Sequence, residues 1–334
     1  MATRSLPSLG PGLLEEENDS ASIAELAKTL FASGAKNTRF VEQEQALSSE
    51  LQTLLAPDFL AGSAAAAIGF VHRKLADADI YFVANASNHS IDTEASVRIA
   101  GLAPEEWDPF TGETKAVDYH LEGDRTKVPL QLAPYESRIF VFSKTPQGKA
   151  VAQISGSPAV LDLNTDWKVT FTHSGRMIEM PRLRSWTSDE ETRFYSGEAV
   201  YEKHVILPST AGKKLVLDFG PGTPAEPASG ASPGMHALLE GPVHEAAIVF
   251  VNGQRAGAVW HPPYAVEVTR YVHAGDNLLR MQAANLAINE MAGQVQPDYR
   301  LLNLRYGERF VPQDMKNLRP LSSGILGPLR LLIY

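Results

Sequence analysis

The sequence has no cysteine. Disulfide staples and thiolate metal sites are therefore excluded, and the redox character of the compartment is left open. No apolar run reaches the length a helix needs to cross a bilayer. A basic excess is also missing: 30 Lys and Arg stand against 39 Asp and Glu, a net charge of −9. A nucleic-acid partner calls for a basic stripe, so neither nucleic acid nor membrane is expected as a partner. The opening MATRSLPSLGPGLLEEENDS has no apolar core and brings Glu15, Glu16 and Glu17 early. As written it does not read as a signal peptide: either the chain stays inside, a cytoplasmic reading, or Met1 is not the natural start of the parent polypeptide. Nor is there a regular alternation of strand and helix patterns, which a parallel barrel would need. No internal repeat stands out.

What is present points to β structure. A length of 334 residues allows two or three domains, and 44% hydrophobic with 21% charged residues is ordinary for a globular chain. The most informative stretch is AIVFVNGQRAGAVWHPPYAVEVTRYVHAGDNLLRMQAAN, residues 247–285. Ala247–Val251 is a β-branched and aromatic run. Asn252-Gly253 then predicts a tight hairpin in which both residues take positive φ. Gln254–Trp260 returns as the partner, His261-Pro262-Pro263-Tyr264 interrupts because proline cannot donate to a ladder, and Ala265–Thr269 alternates as a strand with one wet face. After the Gly275-Asp276-Asn277 turn, Leu278–Ala284 is a fourth strand. Together they read as one antiparallel sheet, half of a sandwich.

Upstream, residues 1–60 read as an irregular lead-in followed by two helices. The first is capped near Ser20 and carries Ile23, Leu26, Ala27, Leu30 and Phe31 at helical spacing. The second runs from Phe40 to Leu55 and is ended by Pro57. Residues 61–145 read as a small β-sandwich, with strands over 67–74, 79–85, 96–99, 128–132 and 137–142 and a turn at Trp107–Gly112. Residues 146–157 read as a linker, and 158–334 as a second sandwich. The fold class is mainly β, two antiparallel sandwiches with a short helical N-terminal segment. The Gly220–Gly234 stretch is a loop without periodicity.

The segment VFVNGQRAGAVWHPPYAVEVTRYVHAGDNLLRMQAAN resembles the galactose-binding-like jelly-roll attached to many glycoside hydrolases. FYSGEAVYE, residues 194–202, is similar to that module's opening strand, and SGILGPLRL, residues 323–331, to its closing strand. FVHRKLADADIYFVANAS and WDPFTGE resemble glycoside hydrolase family 106, the α-L-rhamnosidases, where the catalytic barrel ends and an accessory sheet begins. The resemblance implies a carbohydrate partner, rhamnose-containing or related. It implies that the catalytic carboxylates lie on a barrel upstream of this region, so no acid–base pair is carried over to this chain. Its members are often exported, which pulls against the cytoplasmic reading.

Two chemical motifs fail on their own terms. Gly230-Ala231-Ser232-Pro233-Gly234 fits a nucleophile elbow in outline, but Pro233 has no N–H for an oxyanion hole. Gly220-Pro221-Gly222-Thr223-Pro224-Ala225 nearly fits a dinucleotide fingerprint, but its prolines remove donors and no helix follows. The acidic run Asp189-Glu190-Glu191 reads as solvated surface, and His244-Glu245 lacks a second histidine for zinc. A structural calcium held by carboxylates and carbonyls stays open. For sugar recognition the candidates are Trp260, His261 and Tyr264, with Trp186, Asn285 and Arg305. Aromatic faces stack on sugar C–H surfaces while Asn, Arg and His bond hydroxyls. Core packing is the competing role for Trp260 and Trp186, and turn capping for Asn285. Trp107 and Trp167 read as structural.

Three readings follow. The first is a carbohydrate-binding accessory region, non-catalytic alone. The second is a rhamnosidase-like hydrolase active in this short form. The third is an assembly module that buries an apolar helical face in a homo-oligomer or against a missing catalytic domain.

Overall fold

A computed structural model describes residues 1–10, 17–32, 38–148, 157–226, 237–295, 298–308 and 318–334. Most of the linker expected at 146–157 and the elbow-like Gly230–Gly234 lie outside the described residues. The chain is mainly β and antiparallel, and it divides into two compact units.

The first unit comprises Met1–Leu60, Ala95–Ala100 and His120–Lys127. Its helix runs over Glu17–Leu30, close to the expected position. The second helix is shorter than expected. Phe40–Val41 is not helical but pairs in parallel with Ala2–Thr3, so the lead-in is not wholly irregular. A 3-10 turn at Glu44–Ala46 then leads into the helix Leu47–Leu54. Backbone pairing outcompeted helical periodicity at residues 40–41, where a β-branched and an aromatic residue favour extended backbone. Leu26 and Leu30 are exposed while Ala27 is buried, so the helix turns its smallest apolar residue inward. Arg125 fixes the unit's strands: Nε donates to Ser96 Oγ, Nη1 to Pro57 O and Nη2 to Ser96 O, each at 2.8 Å.

The second unit holds the jelly-roll and the five-stranded sheet of the smaller β region. One sheet has five strands, ordered Ile68–Lys74, Ala78–Asn85, Ser137–Ser143, Ala103–Trp107 and Thr114–Ala116. Alternation divides its faces: Tyr81, Val83, Phe140 and Phe142 are buried, and Tyr81 meets Phe142 edge-on at 5.7 Å. Trp107, expected to be structural, is instead 43% exposed.

The jelly-roll stacks a six-stranded sheet on a four-stranded one. The larger is ordered Arg176–Arg182, Thr165–Phe171, Glu198–Leu207, Gly275–Ala284, Ala246–Val251 and Gln254–Val259. The smaller is Ala159–Asp162, Arg330–Ile333, Leu215–Asp218 and Ala265–Glu267. Trp167, Phe171, Met180, Trp186, Tyr201, Leu217, Phe219, Val249 and Met281 are fully buried in the core between them. Asn252 and Gly253 take φ of 51° and 81°, as the hairpin requires.

One expectation is corrected here. Ala265–Glu267 does not extend the hairpin's sheet but crosses to the opposite one and pairs with Leu215–Asp218. Pro262 and Pro263, without N–H groups, break the ladder where the chain leaves it. Gly257 explains how closely the crossing strand can pass, since a Cβ there would come within 2.8 Å of Val266 Cγ1. The wet face predicted for Ala265–Thr269 holds: Val266 and Val268 are buried, while Ala265 and Glu267 are exposed.

Candidate functional site

The Gln254–Val259 strand ends by presenting Trp260 to solvent, 56% exposed. Beside it His261 is half-buried, and the two rings meet edge-on with centroids 4.5 Å apart. A third ring completes the group. Phe110, 64% exposed, stacks on His261 at 4.7 Å and meets Trp260 edge-on at 6.0 Å. Such offset and edge-on arrangements suit the quadrupoles of aromatic rings.

Two of the rings are held through backbone bonds, Phe110 and His261. Asp108 Oδ1 accepts from Phe110 N at 2.8 Å and Thr111 N at 3.3 Å, closing a turn on which Phe110 projects. His261 Nδ1 lies 2.6 Å from Pro262 O; a carbonyl only accepts, so Nδ1 carries the proton. In the neutral ring Nε2 is then an acceptor suited to a hydroxyl. Sequence reasoning missed Phe110, reading WDPFTG only as a turn. The available signal was a large aromatic inside a tight turn, where no core lies within reach.

The other candidates have different places. Tyr264 is buried in the jelly-roll core, and its backbone carbonyl accepts from Phe219 N at 2.9 Å. Burial, with Glu245 nearby adding to it, pushes its phenol above the ordinary value. Trp186 is fully buried: its ring packs edge-on against Phe171 and Tyr195, and Nε1 donates to Tyr201 Oη at 2.5 Å. It presents no face to a ligand. Its polar flanks, Ser185 and Asp189, made the segment look like a surface turn. Burial drives the Tyr201 phenol up to about 12.

Asn285 is a tie rather than a free arm. Its Oδ1 accepts from Gly197 N, and Nδ2 donates to Tyr195 O and Ser323 Oγ, each at 2.9 Å. Asn289, buried, donates to the same Ser323 Oγ. Together they fasten the segment before the last strands to the end of the Glu198–Leu207 strand. Arg305 is exposed on the helix Arg300–Tyr306, its guanidinium 5.2 Å from the Tyr306 ring centroid. At that helix's start, Asp298 is held down to about 2, chiefly by side-chain bonding from Arg300.

A separate cleft of about 340 Å³ opens beside the edge strand Arg176–Arg182. It is lined by Ile178, Glu179 and Glu190, with Arg184 bonded to Asp189 at 2.8 Å and Arg176 paired with Glu191. Its arginines thus offset two of its four carboxylates, and Glu179 and Glu190 add negative charge to the wall. Among the described residues no group of three or more His, Asp or Glu is gathered as a metal ion would need.

Antiparallel sheets stacked as a jelly-roll, beside a smaller β unit, define the class of fold, and comparison with known proteins specifies it further. Residues 4–121 match the family model described as alpha-L-rhamnosidase, glycoside hydrolase family 106. The solved structure of a rhamnosidase from Novosphingobium sp. PP1Y superposes on 95% of the chain with a TM-score of 0.71 and 27% identity. The chain spans 29% of that rhamnosidase. A Formosa agariphila protein carrying a beta-glucuronidase name is 36% identical over 85 residues, which are 25% of this chain and 7% of that protein. A Bifidobacterium dentium beta-glucuronidase structure covers 54% of the chain, with a TM-score of 0.34, 19% identity and 31% of its own length matched. The expected resemblance to α-L-rhamnosidases therefore holds in both sequence and fold.

Proposed function

We propose that the chain is a carbohydrate-binding accessory region of an α-L-rhamnosidase-like glycoside hydrolase, non-catalytic on its own, which holds a rhamnose-containing or related glycan on Trp260, His261 and Phe110. The carrying observation is the ring cluster itself. Trp260 and Phe110 are left exposed and His261 half-buried, packed on one another, where the hydrophobic effect alone would have buried them. Fixed rings lose little entropy when a sugar face stacks on them. The ladders of the five-stranded sheet and of both jelly-roll sheets are antiparallel throughout, an arrangement without a barrel rim for opposed acids. Calorimetric titration with L-rhamnose and rhamnose-ended oligosaccharides tests the reading. Binding lost on Trp260→Ala supports it, and no binding by the folded protein defeats it.

The second reading, hydrolysis by this chain, draws on the cleft carboxylates Glu179 and Glu190. Release of nitrophenol from an aryl rhamnoside, abolished by Glu179→Gln or Glu190→Gln, would support it. No release across the pH range would dismiss it.

A further inference from the structure

The five-stranded sheet turns a row of apolar side chains outward. In register, Val71 opposes Phe82, Phe82 opposes Ile139, and Ile139 opposes Trp107. Directly opposed residues share a face, so the four side chains form a band crossing the strands. It is the face opposite Tyr81, Val83 and Phe140, which are buried. Phe82 is 41% exposed, close to the value for Trp107.

The indole is deliberately fixed. Trp107 Nε1 donates to Glu105 Oε1 at 2.6 Å, and Glu105 Oε2 accepts from the backbone N–H groups of Gln147 and Gly148 at 2.5 and 2.7 Å. Glu105 is itself buried. A buried carboxylate with its own backbone donors is a costly support for a ring that contributes only part of its surface to packing.

Spacing and continuity indicate what the band receives. Phe82 and Trp107 sit two strands apart, roughly 9.6 Å, about the length of a disaccharide. Phe110, in the ring cluster, follows Trp107 by three residues, a reach of at most about 11 Å. From Phe110 to Trp107 along the chain, and from Trp107 to Phe82 across the strands, the aromatic residues thus stand no further apart than about 11 Å.

We infer that this band extends the carbohydrate site, so that the ligand is an oligosaccharide chain rather than a single terminal sugar: its end lies at the Phe110–His261–Trp260 cluster and its body crosses Trp107 and Phe82. The inference rests on the reading of that cluster as a sugar site. It is neutral in charge, because the band's own side chains carry none.

The test is a length series. Calorimetry compares L-rhamnose, a rhamnose-ended disaccharide and a longer rhamnose-ended oligosaccharide on the native protein, Trp107→Ala, Phe82→Ser and Trp260→Ala, with unfolding midpoints as the folding control. The native protein should favour the longer ligand over the disaccharide by about three- to tenfold for each added ring. Trp107→Ala and Phe82→Ser, acting separately, should each reduce that ratio. Phe82→Ser leaves the Glu105 support intact and so carries the test if Trp107→Ala misfolds. Equal affinity for short and long ligands, or a ratio unmoved by Phe82→Ser, overturns the inference while leaving the cluster's role standing. Absence of binding to every ligand removes the cluster's role as well.

Discussion

His261 and Phe110 lie ring on ring, centroids 4.7 Å apart and planes 29° apart, although one ends a jelly-roll strand and the other tips a turn of the small sandwich. Neither ring is buried by its own sandwich. Rings from both sandwiches meet in one cluster, so the proposed sugar site draws on the pair of them.

Removing an exposed member of that surface should therefore weaken glycan binding without unfolding the protein. Phe110→Ala is expected to lower affinity by about three- to tenfold, roughly 0.5–1.5 kcal/mol. Calorimetry with a rhamnose-ended oligosaccharide, beside an unchanged thermal midpoint, checks this.

Trp186 should behave in the opposite way. Trp186→Ala empties a core site and leaves the Tyr201 hydroxyl with only the Ile325 N–H as donor, at a cost of about 3–5 kcal/mol. Urea unfolding should show the loss, and any fall in glycan binding should vanish under conditions that restore the fold.

Tyr201 gives the jelly-roll a sensitivity to alkali. Its folded pKa is raised to about 12, above the ordinary 10.0. The unfolded chain therefore releases the phenolic proton first. The stabilisation is complete below pH 10 and declines as pH climbs from 10 towards 12, by about 2–3 kcal/mol in total. Denaturant midpoints across that range should fall in the native protein, and the slope should be shallower in Tyr201→Phe.

Asn252→Gly separates backbone from side chain in the hairpin. Glycine keeps the positive φ but loses the bonds from Nδ2 to Tyr271 O and Asn277 Oδ1, and the one Oδ1 accepts from Leu278 N. A loss of about 1–3 kcal/mol in urea unfolding is expected, since Asn277 is buried.

Gly324 is packed against the Trp186 indole and the Tyr201 hydroxyl, at φ 91°. Gly324→Ala has neither the room nor the backbone freedom, so its expected effect is a drop in thermal midpoint at least as large as that of Asn252→Gly.

Much of this architecture was legible in local pattern. Asn252-Gly253, the strand runs over 79–85 and 137–142, and Pro57 after the helix each report on neighbours in sequence, and each held. The misses share a cause. Ala265–Glu267 has the pattern of a strand but nothing that names its partner, and it paired across the sandwich. Trp186 sits among polar neighbours, and only the fold carries its ring inside. Phe110 acquires its meaning from His261, a contact no local window contains. Phe40 and Val41 fitted a helical stripe until a distant pair of residues, Ala2 and Thr3, offered a ladder.

The strand Arg330–Ile333 lies between Ala159–Asp162 and Leu215–Asp218, bonded to both. During synthesis those two strands emerge long before the one that joins them. For most of translation the smaller jelly-roll sheet is an unfinished seam with two open edges, and it can be knitted only after residue 333 has cleared the ribosome.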